Sequence, residues 1–158
     1  MIDEFEAVQR LSLHEGIRLQ PYRCPRGFLT IGVGRNLQTN PLSREEIKIL
    51  GRRDLSSGIT RQEAFFLLRG DIRRTLEKCR KEIPFFDNLD DERQYVLVDM
   101  AFNMGIGGLL KFQKMLAFIG VGNYRQAAAE LLSSRYARQV RIRAERLAQT
   151  LQTGRWRL

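Results

Sequence analysis

Only one stretch of this 158-residue chain reads convincingly as β structure, and that scarcity constrains the fold more than any other feature. After Gln20, Pro21 and Tyr22 the sequence turns at Cys24-Pro25-Arg26-Gly27 and continues as FLTIGVG, an alternating, β-rich run carrying two glycines. The glycines either relax the backbone or let something approach it closely. One hairpin makes only a small sheet, so the rest of the core must be helical.

Helical signals supply that remainder. Phe5, Val8, Leu11 and Ser12 recur at helical spacing over 3–13, and Gly16 behind Glu15 predicts the stop. Ser43 and Glu46 form a capping box opening a short helix, and RRDLSSG behind it reads as loop. Thr60 and Glu63 form a second box ahead of Ala64, Leu67, Leu68, Ile72 and Leu76, predicting a helix over 60–80 that ends in basic residues before Pro84. Beyond it Leu89, Val96, Leu97, Met100, Ala101 and Met104 form a stripe broken at GIGG, with helices expected near 112–119, 124–133 and 141–152. The expected architecture is α+β and mostly helical: a small lobe at 14–59, a connecting helix at 60–80, and a helical lobe of 81–158 joined by the N-terminal helix. Opening and closing of such lobes is expected to pivot near 58–60.

Uncharged runs such as AFNMGIGGLL and MLAFIGVGNY reach about half of the ~20 residues a membrane span needs. MIDEFEAVQR lacks the basic start and apolar run of a secretory signal, so synthesis in the cytoplasm is expected, with another exit route for any work outside. Lys and Arg number 27 against 18 Asp and Glu, a net +9 that favours polyanionic partners. The arginine-rich run RYARQVRIRAER reads as an amphipathic helix with a solvated face, and the chain carries no nucleic-acid-binding motif. Cys24 and Cys79, one histidine and no CxxC make neither a disulfide framework nor a structural zinc site.

Glu15 is the sole acid between residues 7 and 44, among Arg10, Arg18, Arg23, Arg26, Arg35 and Arg44. It is either a helix-end carboxylate paired with an arginine or a general acid, which requires burial to outweigh those cations. Thr30 is either an ordinary strand residue or a hydroxyl that orients water. Cys24, flanked by Arg23 and Arg26, is either a small buried hydrophobe or a thiolate of lowered pKa.

Helix-end glutamate, turn and hairpin threonine together, HEGIRLQPY followed by GFLTIGVG, resemble the catalytic signature of the phage-type lysozymes. NMGIGGLLKFQKML is similar to that family's interface loop, and SSRYARQVRIRAERLAQTLQTGRW to its C-terminal helical segment and TGxW tail, so the resemblance covers about 150 of the 158 residues. It implies a two-lobed lysozyme-like fold that hydrolyses the β-1,4 bond between N-acetylmuramic acid and N-acetylglucosamine, without cofactor or metal. Glu15 takes the place of the proton-donating glutamate and Thr30 that of the water-holding threonine. Arg143 matches an arginine that orients the glutamate. Gly32, Phe102, Asn103, Met104, Gly105, Phe112, Tyr136 and Gln139 match substrate-lining positions. Two positions depart from the pattern: the second carboxylate falls at Cys24, and the histidine after the GxG run is Arg35. The implied partner is peptidoglycan, not nucleic acid, with a monomeric enzyme reaching the wall through a partner membrane pore. The alternative is a catalytically impaired relative that binds peptidoglycan or serves as a scaffold.

Overall fold

The structure, a computed structural model, describes residues 2–157. It divides into two compact units: residues 4–73, and residues 74–157 with residues 2 and 3. The fold is α+β and mostly helical, with one small antiparallel sheet near the N-terminus.

In the first unit α1 (Glu4–Glu15) buries Ala7, Val8 and Leu11, whereas Phe5 remains 66% exposed, off the expected stripe. The helix stops where foreseen: Gly16 turns left-handed (φ 74°) and donates its N–H to Ser12 O at 2.8 Å. From sequence α1 was grouped with the helical lobe; here it lies in the first unit, where Arg73 clamps Glu4 through two hydrogen bonds of 3.0 and 3.1 Å.

Strands β1 (Arg18–Arg23), β2 (Leu29–Gly32) and β3 (Arg35–Asn36) pair in that order. The β1–β2 connection is a turn closed by Gly27 N–H on Cys24 O at 2.8 Å, with Pro25 in its second position, as that residue's fixed φ favours. The two-residue β3 is an addition to the expected hairpin; Thr30 pairs with Asn36 and Ile31 with Arg35. One sheet face supplies Ile31 to a core with Leu50, Leu55, Ile59, Ala64 and Leu67. Both capping boxes form. Ser43 opens α2 (Arg44–Leu50), and Thr60 with Glu63 opens α3 (Arg61–Glu82), which runs from the first unit into the second. The segment expected to pivot is stitched to β1 by Ile59 N–H on Leu19 O at 2.8 Å.

The second unit continues with a 3-10 turn at Phe86–Asn88 and then α4 (Asp91–Leu110), α5 (Gln113–Gly120), α6 (Tyr124–Leu132), α7 (Arg135–Val140) and α8 (Ile142–Thr153). In α4 the stripe residues Val96, Leu97, Met100 and Ala101 are buried and Met104 is half-buried, and the break falls on the first glycine of GIGG, since Gly105 adopts φ 80°, ψ 159° inside the helix. The expected continuous helix RYARQVRIRAER is instead two. Arg141 separates them with a positive φ of 46°, a conformation costly for a side-chain-bearing residue. Arg93 secures the end of α8, donating to Leu151 O at 2.7 Å and Gln152 O at 3.1 Å, and Trp156 packs edge-on against Tyr95.

Candidate functional site

Glu15 is the last residue of α1, so its carboxyl leaves the helix where the chain turns toward the sheet. The β2–β3 turn packs directly on that carboxyl. A Cβ built on Gly34 would lie 3.3 Å from Glu15 Oε2, so this glycine is where something approaches the backbone closely. Gly32 plays the other part, relaxing the backbone into a left-handed φ of 68°, while a side chain there would make only ordinary contact with Ile59 and Ala64.

Thr30 stands directly opposite Tyr22 in the β1–β2 ladder, so their side chains share one face, the face opposite that of Leu29 and Ile31. Thr30 is only 3% exposed and its hydroxyl donates to Phe28 O at 2.9 Å. The same hydroxyl is within hydrogen-bonding reach of Cys24, so its one proton serves either Phe28 O or the sulfur. Burial raises the Cys24 thiol, but the backbone N–H groups of Phe28 and Arg26, the Thr30 hydroxyl and the Gly27 N–H all favour the thiolate, and the net shift is downward. A lowered thiol is thus present as the sequence allowed, but its causes are turn amides and a hydroxyl rather than the flanking arginines. Both cysteines are free, and burial pushes Cys79 up to about 12.

Tyr22 belongs to the same cluster and carried no signal of its own in the sequence. Its phenol is raised by burial, lowered by Arg18, and raised again by Glu15 and Cys24. The Arg18 guanidinium lies over its ring, 4.3 Å from the centroid. Hairpin register alone would have missed it, because a plain four-residue turn at 24–27 faces Tyr22 with Leu29, whereas the observed ladder sets Cys24 opposite Phe28 and so Tyr22 opposite Thr30.

The remaining candidates lie in the second unit. Arg143, on α8, donates from Nε to Asp99 Oδ1 at 2.8 Å, and Tyr95 donates to the other oxygen of Asp99 at 2.7 Å. Asp99 is fully buried, so the arginine is held by a carboxylate that the sequence did not single out. Tyr136 packs edge-on against Phe112 at 6.1 Å, bringing two candidates together. Phe102 and Met104 are half-buried, Asn103 and Gly105 exposed, and Gln139 is exposed on α7.

The phage lysozyme family matches residues 12–151. The chain belongs to that family. It is 28% identical over 156 residues to the probable T4-type lysozyme 2 of Dictyostelium discoideum, covering 91% of this chain and 92% of that protein. It is 29% identical over 157 residues to the probable T4-type lysozyme 1 of the same organism, with 91% and 92% covered. It is also 30% identical over 157 residues to the pre-baseplate central spike protein Gp5 of Enterobacteria phage T4, where 92% of this chain spans 27% of that longer protein. At family level the function is muramidase-like, with peptidoglycan as substrate.

Within this phage lysozyme chain, Arg35 stands where the family pattern has a histidine, and it is structural. All five of its N–H donors are engaged: Nε with Asn40 O, Nη1 with Glu46 Oε2 and Asp71 Oδ1, and Nη2 with Pro41 O and Glu46 Oε1, at 2.8–3.1 Å. Burial lowers its pKa, but the Glu46 and Asp71 carboxylates outweigh that and raise it overall. A cavity of about 580 Å³ in the same unit is lined by Leu29, Leu37, Leu42, Ile47 and Leu55 among others, and by none of the candidate residues. Among the described residues no group of His, Cys, Asp and Glu could hold a metal ion, and no single helix is long and apolar enough to cross a membrane.

Proposed function

We propose that this chain is a muramidase that hydrolyses the β-1,4 bond between N-acetylmuramic acid and N-acetylglucosamine in peptidoglycan, with Glu15 as general acid. Glu15 donates its proton to the glycosidic oxygen as the bond to the muramic-acid anomeric carbon breaks. Thr30 and Cys24 manage the attacking water: the thiolate takes its proton while the hydroxyl holds it. Direct attack by sulfur on the anomeric carbon, followed by hydrolysis of the glycosyl-enzyme, is the retaining version of the same site. The anomeric form of the first product distinguishes the two. The orienting role of Arg143 and the lining roles of Phe102 to Gly105, Phe112, Tyr136 and Gln139 rest on the family pattern.

The observation that carries this reading is the surroundings of Cys24. A sulfur whose pKa is lowered by turn amides and the Thr30 hydroxyl is chemically able to stand where the pattern has a carboxylate. The proposal extends to a monomer made in the cytoplasm that reaches the wall through a partner pore. Its test is release of reducing ends from purified peptidoglycan. The native protein should cleave, Glu15→Gln should lose a factor of about 10²–10⁴, Cys24→Ala should be strongly impaired, and Cys24→Asp should be active. An inert native protein alongside an active Cys24→Asp would instead mark a lysozyme fold retained for binding.

A further inference from the structure

The candidate site has a cationic side chain to which the proposed chemistry assigns no task. Arg18 is exposed at the start of β1, and no ion pair engages it among the described residues. Yet it is not a loose surface arginine, because its guanidinium is stacked 4.3 Å from the centre of the Tyr22 ring. Tyr22 is itself fixed, paired across the ladder with Thr30 on the sheet face that bears the candidate chemistry. A stack of this kind covers one face of the guanidinium and leaves its N–H edge pointing outward, the geometry that receives a carboxylate through two parallel hydrogen bonds.

The other arginines of the hairpin are placed differently. Arg23 pairs with Leu29, on the opposite face of the sheet, and spends Nη1 on Gly27 O at 3.0 Å. Arg26 lies over Phe28 at 5.7 Å, in the turn. Arg18 alone of the three is stacked on a residue of the site.

We infer that Arg18, stacked on Tyr22, is a specificity-determining residue that binds a carboxylate on the peptide stem carried by muramic acid. The inference rests on the proposed muramidase reading and deepens it: the enzyme reads the anionic substituent as well as the sugar backbone, and glycan whose carboxylates are neutralised becomes a poor substrate. The contribution falls on KM rather than kcat, because a stem carboxylate is bound alike in ground state and transition state.

The test compares native walls with walls whose carboxylates have been converted to carboxamides, using the full chain and its Arg18→Gln, Arg18→Lys and Arg23→Gln variants, each checked for an unchanged melting temperature. Amidation should raise the native protein's KM about five- to tenfold with little change in kcat, as expected for one charge-assisted hydrogen-bonded pair in a partly exposed setting. Arg18→Gln should show the raised KM on both walls, its ratio between them falling toward one. Arg18→Lys should recover part of the discrimination, and Arg23→Gln should keep all of it. Equal loss of discrimination in Arg18→Gln and Arg23→Gln would reduce the effect to overall charge and overturn the assignment, as would a ratio unchanged in Arg18→Gln. Co-sedimentation with the two walls reads the same comparison without cleavage. A native protein that is inert on both walls therefore sinks the muramidase reading while the binding ratio still decides the role of Arg18.

Discussion

Replacing Arg35 by methionine keeps most of the side-chain volume and removes only the guanidinium. Two carboxylates then stay buried without the cation between them: Glu46 and Asp71 are 5% and 7% exposed. Neutral donors remain, since Ser43 N–H still reaches Glu46 Oε1 at 2.9 Å and the Asn40 amide still reaches Asp71 Oδ1 at 3.0 Å. The carbonyls of Asn40 and Pro41 lose their donors as well. Removing one member of a buried pair costs about 3–5 kcal/mol, and the remaining donors do not replace a charge. With a urea slope of about 2–3 kcal/mol/M, a loss of 4 kcal/mol moves the unfolding midpoint down by about 1.3–2 M. Urea titration followed by circular dichroism checks this. Adding Glu46→Gln and Asp71→Asn should then recover much of the loss, because the buried charges that faced the guanidinium are gone. A midpoint shift below about 0.4 M for Arg35→Met alone would refute the view that this buried cluster holds the first unit together.

Other consequences follow from local chemistry. Glu63, held by two hydrogen bonds from Arg52 and by the Thr60 N–H, has its pKa lowered from 4.5 to about 2, so its contribution is complete above pH 4.5 and is lost as pH falls through about 2. Discounted for partial exposure that is about 1–2 kcal/mol, and acid unfolding of Glu63→Gln should show a correspondingly shallower fall over this range. Iodoacetamide should label Cys24 well before Cys79 at neutral pH, and mass spectrometry finding Cys79 labelled first would contradict both shifts. Arg141→Gly should stabilise the protein by about 0.5–1.5 kcal/mol by relieving its positive φ, read as a raised melting temperature. Gly34→Ala should reduce cleavage at least tenfold, because the new methyl crowds the Glu15 carboxyl and strains a turn held at φ 66°; unchanged turnover would show that neither is critical.

Features whose cause is local were legible in the sequence. The two capping boxes, the Gly16 stop and the Gly105 break each depend on residues within one helical turn, and they form as expected. What escaped depends on distant partners or on backbone that no residue type announces. Arg141 is neither glycine nor proline, so nothing nearby marks the break between α7 and α8. Arg35 and Asp71 are 36 positions apart, and Arg143 and Asp99 are 44 apart, so neither pairing has a local signature. At Cys24 the sequence showed the neighbouring arginines but not the amides, which face the sulfur only once the turn is closed.

The two faces of the small sheet explain why so short a hairpin can serve structure and chemistry together. Ile31 commits one face to the core with Leu50, Leu55, Ile59, Ala64 and Leu67, and that burial fixes the register, since a slip of one residue would turn Ile31 outward. Once register is fixed, the other face is determined: Thr30 must oppose Tyr22, and the turn at 24–27 must bring its N–H groups round the Cys24 sulfur. The glycine turn beyond β2 then meets the end of α1, setting Glu15 against Gly34. Core packing on one side of the sheet thus positions the Thr30 hydroxyl and the Cys24 sulfur, and through the Gly34 turn the Glu15 carboxyl. A core substitution such as Ile31→Ala should therefore impair cleavage beyond its effect on stability. The decisive comparison is turnover at a temperature where the variant is still fully folded; full activity there would mean the site holds its geometry without the core behind it.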